Sequence, residues 1–147
     1  MLETLRERKA ALEAQGKKGF TLMEMLIVIA IIAILIAIAI PIFTAQLEKA
    51  GESADAANVR AEYAEVMAAI LEHPATAIAA DDHKITLQQG QDGWQNTDIE
   101  NGLNALKTGS DGGVEVAISG TPKAGKTATI SYETGANPKV TITFVQS

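Results

Sequence analysis

The chain of 147 residues contains no cysteine, which excludes disulfide scaffolds, thiolate zinc sites, cysteine nucleophiles and CxxC redox chemistry together. Histidine is nearly as scarce: with only two, His73 and His83, a histidine-rich metal centre has too few ligands. Aromatic residues make up 4%, too few for a large aromatic core or for a run of platforms on which nucleic-acid bases could stack. Basic residues are in the minority, 12 against 18 acids, and the net charge of −6 disfavours a nucleic-acid-binding surface. The length suits one small domain with an appended segment.

What is present is unevenly distributed. Up to Gly19 five basic residues (Arg6, Arg8, Lys9, Lys17, Lys18) outnumber three acids (Glu3, Glu7, Glu13), whereas the remainder is strongly acidic. Between these parts, residues 25–47 form a run of 23 without a charge, rich in Ile, Leu, Val and Ala as far as Ile40. As a helix the run reaches roughly 35 Å at ~1.5 Å per residue, enough to cross a hydrocarbon layer of ~30 Å. Lys17 and Lys18 before the run place the N-terminus in the cytoplasm and the acidic bulk outside. The run is longer than the apolar region of a secretory signal, and no small-residue cleavage site ends it; Ile40-Pro41-Ile42-Phe43 follows instead.

The segment Lys17-Lys18-Gly19-Phe20-Thr21-Leu22-Met23-Glu24, running directly into Met25-Leu26-Ile27-Val28-Ile29-Ala30 and closed by Pro41, resembles the N-terminal signature of type IV pilins and their pseudopilin relatives. The shared pattern is a basic leader ending in Gly, then Phe-Thr-Leu, one residue, Glu and a long apolar helix. The resemblance is dense from Lys17 to Pro41 and architectural beyond it. It implies cleavage by a prepilin peptidase between Gly19 and Phe20, N-methylation of the new Phe20 amine, and a fibre-assembly role for Glu24 as partner of that amine on a neighbouring subunit. Physical chemistry agrees with the last point, because a carboxylate at the edge of a hydrocarbon region is kept only where a partner or water offsets its cost. Many relatives carry Gly between the Glu and the Pro; here Ala33 lies in that stretch, leaving Pro41 as the helix weak point.

Beyond the apolar run, residues 42–73 read as a continuation of the same helix, interrupted at Gly51 and ended by His73-Pro74. Two stripes recur at helical spacing. Ala50, Ala54, Ala57, Ala61, Ala64, Ala68 and Leu71 mark one face, and Val59, Tyr63, Val66 and Ile70 the opposite one. Asp55, Glu62, Glu65 and Glu72 fall on an acidic flank of the alanine stripe. The larger residues are expected to pack under a sheet, and the alanines to meet other helices inside a fibre.

An Ala-rich connector (75–82) precedes a short strand (84–88) and a turn (90–96). Thr97-Asp98-Ile99-Glu100 has the form of a capping box, opening a short helix anchored by Leu103 and Leu106 and stopped by Gly109. Three alternating segments follow, with Val114, Val116 and Ile118, then Ala128, Ile130 and Tyr132, then Val140, Ile142 and Phe144 facing inward. With turns at 120–126 and 135–138 they read as an antiparallel meander. The expected fold is α+β: a leader (1–19), a membrane-spanning and fibre-core helix (20–45), the distal half of that helix (46–73), and a head (74–147) whose small antiparallel sheet packs on the distal half.

Gly120-Thr121-Pro122-Lys123-Ala124-Gly125-Lys126-Thr127 fits the P-loop pattern, but that motif needs a helix beginning at its Lys-Thr, and residues 127–132 alternate as a strand. It reads as a hairpin turn. Asp81-Asp82-His83 has residue types of a weak cation site and reads as a solvated acidic loop. Neither a catalytic constellation nor a cofactor or metal site is expected. The resemblance implies a structural subunit of a type IV pilus, serving adhesion, twitching or DNA uptake. Its implied partners are like subunits, the prepilin peptidase, an assembly platform with its ATPase, and membrane lipid before assembly. A pseudopilin of a secretion or competence machine and a monomeric membrane-anchored binding module are the alternatives.

Overall fold

The computed structural model describes residues 2–17, 21–107 and 113–146, so Gly19, Phe20 and Gly109 lie outside the described residues. The chain forms two units, Met1–Phe43 and Thr44–Ser147. In the first, helix α1 (Leu2–Lys17) exposes Leu2, Leu5 and Leu12. Helix α2 (Leu22–Glu72) then begins. Its apolar residues carry it through Pro41 without a break, although proline lacks the N–H that would bond back one turn.

The second unit starts from the distal part of α2. Val59 and Val66 are fully buried, and Tyr63 and Ile70 nearly so, in one core with Val116, Ile130 and Ile142. The opposed stripe behaves as its small side chains suggest: Ala50, Ala57, Ala61, Ala64 and Ala68 are exposed, while Ala54 is half-buried. Gly51 does not interrupt the helix. A Cβ there would stand 3.2 Å from the backbone Cα of Gln89, so the missing side chain lets the chain beyond β1 lie close against α2.

Strands β1 (Lys84–Thr86), β2 (Glu115–Ser119), β3 (Thr127–Glu133) and β4 (Lys139–Phe144) form one sheet in the order β1-β3-β4-β2. The inward positions are those the alternation predicts, with Ile118 only half-buried. Ile130 faces Ile142 and Tyr132 faces Val140 across β3 and β4, whose antiparallel pairing is closed by the turn at 134–138. The sheet is mixed, however, and is no antiparallel meander. β2 pairs with β4 in parallel, Val116 opposite Val140 and Ile118 opposite Ile142.

The reason lies in residues 120–126, which form a crossover where a hairpin was expected. They carry the chain from β2 across the end of β4 to β3, leaving β4 between the two strands. Gly120, at φ +78°, makes the crossing possible: a Cβ there would stand 2.7 Å from the carbonyl oxygen of Phe144, the last residue of β4. Gln146 fastens the passing chain by donating from Nε2 to the Thr121 carbonyl at 2.7 Å.

Between β1 and β2, helix α3 (Thr97–Asn104) continues into a 3-10 turn (Ala105–Lys107). Its N-cap is Asn96 and not Thr97; the Asn96 side chain accepts the Asp98 N–H at 3.0 Å. Leu103 is buried and Leu106 partly so, as the sequence suggests.

Candidate functional site

The start of α2 is a reciprocal cap. The Thr21 hydroxyl accepts the Glu24 N–H at 3.2 Å, and Glu24 Oε2 accepts the Thr21 N–H at 2.7 Å and the Thr21 hydroxyl at 3.1 Å. This is the arrangement that the T-x-x-E spacing permits at a helix N-terminus: two amides with no intrahelical acceptor are satisfied by two side chains. It gives Glu24 a local role ahead of any partner. Only one carboxylate oxygen is used; among the described residues Oε1 has no partner.

From this cap the apolar run begins. Every large hydrophobic side chain from Leu22 to Phe43 is exposed, Met25 least at 42% and Leu22 most at 86%. The helix is long and apolar enough to cross a membrane, and the most apolar stretch is buried nowhere within the chain. Burying such surface stabilises by ~25 cal/mol per Å2, so it calls for lipid or other protein around it. Pro41 lies within this run, in unbroken helix.

Further along α2 the structure brings together three acids, of which only Asp55 has a place in the sequence pattern above. Asp55, expected on the acidic flank of the alanine stripe, is fully buried, and so is Glu52. Asp55 accepts the Gln88 N–H at 2.8 and 2.9 Å and the Gln89 N–H at 2.9 Å. Glu52 accepts the Gln95 N–H at 2.6 Å and the Asn96 N–H at 2.9 Å. One turn earlier, Glu48 accepts the N–H groups of Gly90 and Gln91, each at 2.9 Å. Three carboxylates on one helix thus each hold two consecutive backbone amides of the segment 88–96. A charged acceptor makes these bonds stronger than neutral ones, and they offset the cost of burying the acids.

The signal for them was in the spacing. Counting back from Ile70, Val66, Tyr63 and Val59 in steps of three or four reaches Asp55 or Ala56, then Glu52, then Glu48 or Lys49. Acids on a core stripe must find amide donors. Glu62, also assigned to the flank, is half-buried and contacts Nδ1 of His83 at 2.5 Å. Glu65 and Glu72 are exposed.

The other motifs stand apart from this set. Thr127 begins strand β3, so the P-loop pattern has no helix after it. Asp81 and Asp82 are exposed, and Asp81 pairs with Lys84 at 3.6 Å. Among the described residues there is no group of three or more His, Cys, Asp or Glu able to hold a metal ion.

Residues 15–40 match the family described as the prokaryotic N-terminal methylation motif. The chain is also similar to the type IV narrow pilus major component PilA5 of Thermus thermophilus, 56% identical over 50 residues. That match covers 32% of this chain and 43% of the relative, so the two share less than half of the relative's length. No solved structure matches. The motif and the apolar helix together point to membrane anchoring.

Proposed function

We propose that this chain, whose N-terminal segment is of the type IV pilin family, is a structural subunit that leaves the membrane to assemble with like subunits into a pilus. The observation that carries this reading is the uncovered apolar surface of residues 22–43, headed by a capped glutamate inside a methylation motif. Lipid covers that surface before assembly, and neighbouring copies cover it afterwards. Membrane insertion leaves the N-terminus in the cytoplasm, where prepilin peptidase cuts between Gly19 and Phe20 and the Phe20 amine is methylated. The assembly platform and its ATPase then extract the subunit.

In the fibre, Oε1 of Glu24, which has no partner among the described residues, receives the Phe20 amine of a neighbour, which fixes axial register. The exposed alanines Ala50, Ala57, Ala61, Ala64 and Ala68, with half-buried Ala54, line the fibre interior because small residues let helices approach closely. Pro41 is the position where the helix can yield on packing, having one backbone bond fewer. The role is structural, and the fibre is the working form.

Shearing filaments from cells and measuring the intact mass of their subunit tests this reading. The expected result is an abundant filament component whose chain begins at Phe20 and carries one methyl group. A chain that stays in the cell membrane as a monomer, or that still begins at Met1 in cells with active prepilin peptidase, overturns it.

A further inference from the structure

The second unit carries a cavity of about 160 Å3 between α3, the 120–126 crossover and the end of β4. Trp94, the only tryptophan in the chain, stands in its wall half-buried, its ring edge-on to Phe144 with centroids 5.8 Å apart at 83°. Glu100, Asn104 and Lys107 line the same cavity, and Thr121 faces them from the crossover. Spacings of four and three put the first three on one side of α3 and its 3-10 continuation. Among the described residues no hydrogen bond or ion pair engages these four side chains, so their polar atoms are available to a ligand.

The chemistry of this wall is specific. One acid and one base leave it without net charge, so it favours ions of neither sign. Asn104 and Thr121 each offer a donor and an acceptor. The aromatic ring supplies an apolar face beside them. A cavity smaller than the ~300 Å3 lower bound of drug-sized pockets admits a single small ring. The ligand that combines a compact apolar face with several neutral hydroxyls is a pyranose. We propose that this cavity is a binding site for a neutral monosaccharide unit, which lies on Trp94 and is held through its hydroxyls by Glu100, Asn104, Lys107 and Thr121.

The site is built rather than incidental. Gln95 and Asn96, directly after Trp94, have their amides held by the buried Glu52. That fixes both the tryptophan and the first turn of α3, so the wall is in place before a ligand arrives.

Trp94 reports on its own site. The full chain, in micelles of dodecylphosphocholine because sugar-headed detergents would compete, is titrated with glucose, galactose, N-acetylglucosamine and N-acetylgalactosamine while Trp94 fluorescence is followed. At least one should give a saturable change, with a Kd on the order of 1 mM for so small a ligand. Asn104→Ala and Glu100→Gln should each weaken that binding about tenfold, the usual effect of losing a hydrogen bond to a charged or fully engaged group. Lys84→Ala, at β1, should leave it unchanged. No saturable response to any of the four sugars overturns the proposal. So does an equal response to sorbitol, which has hydroxyls but no ring, or a response to inorganic phosphate alone. Undiminished binding in both cavity variants also overturns it.

Discussion

The carboxylate of Glu52 in α2 accepts the backbone N–H of Asn96, the N-cap of α3, at 2.9 Å. In an ordinary capping box that amide is satisfied by a Glu or Gln three residues further along the same helix. Here the residue three beyond Asn96 is Ile99, which cannot accept, and the glutamate comes from a helix 44 positions earlier in the chain. The same carboxylate takes the Gln95 N–H at 2.6 Å. One buried side chain therefore both caps α3 and fastens it to α2.

Glu52→Ala should leave the part-buried amides of Gln95 and Asn96 without their acceptor, at about 1–3 kcal/mol each. For a domain of 60–100 residues each kcal/mol lowers Tm by about 4–8 °C, so a fall of at least ~8 °C is expected in thermal unfolding of the full chain. Near-UV circular dichroism should also lose its tryptophan signal, since Trp94 adjoins Gln95. A Tm within about 2 °C of the parent, with the signal intact, would mean that other contacts hold the segment.

Asp55 and Glu48 offer a controlled comparison, since each also holds two amides of the segment 88–96. Asp55 is fully buried, whereas Glu48 is only half-buried and its amide partners can turn to water. Asp55→Ala should cost about 3 kcal/mol or more, and Glu48→Ala about 1 kcal/mol or less. Urea midpoints of the two variants check the order; equal losses would show that burial is not what sets their strength.

The parts of the fold visible in the sequence are those encoded by neighbours along the chain. The inward faces of all three long strands follow from alternation, and the split of α2 into an alanine face and a Val59, Tyr63, Val66 and Ile70 face follows from helical spacing. Partner choice between strands is not local. Nothing in Glu115–Ser119 says that it pairs in parallel with β4, because that depends on where the crossover at Gly120 leaves the chain. The T-x-x-E spacing occurs at both Thr21 and Thr97, yet only the first closes as a box, because Glu52 holds Asn96 as the cap of α3. At the candidate assembly site the apolar run was legible from composition. The buried acids of distal α2 were not legible from composition, because an acidic residue is by default a solvated one; only their spacing on the core stripe marks them.

Gly120→Ala tests the crossover. A non-glycine residue in the left-handed region costs roughly 1–3 kcal/mol, and the added Cβ would meet the Phe144 carbonyl besides. A Tm loss larger than that of Gly125→Ala is expected, since Gly125 also has positive φ but open space around it. Equal losses at the two positions would leave only the backbone conformation, and not the close passage over β4, as the reason for glycine.

Glu24→Gln separates the two roles of Glu24. Glutamine retains an oxygen for the Thr21 N–H, so the cap survives, but its charge is gone. Helicity of the micelle-bound chain should be unchanged while filament yield falls sharply, because a Phe20 amine would lose its counter-charge. Thr21→Val should do the opposite: it removes the hydroxyl at a cost of about 1 kcal/mol to the helix start while keeping the carboxylate. Filaments formed as well by Glu24→Gln as by the parent would confine Glu24 to capping.

The two faces of distal α2 make the final test, because they assign stability and assembly to different residues six positions or fewer apart. Tyr63 is 8% exposed and shares the core with Ile130 and Val140, so Tyr63→Ala leaves a cavity and should cost about 3–5 kcal/mol. Ala57 and Ala61 are exposed on the opposite side, outside the core of the isolated chain. Ala57→Leu or Ala61→Leu should therefore leave Tm almost unchanged, with a slight gain from leucine covering neighbouring helix surface. In a fibre the same leucines would stand where helices approach closely, and overpacking there should reduce filament yield. The measurements are Tm of the full chain in micelles and the mass of sheared filaments per cell. Losses in both from the leucine variants would place the alanine face in the subunit's own core, and normal filaments from both would remove the alanines from the fibre interior.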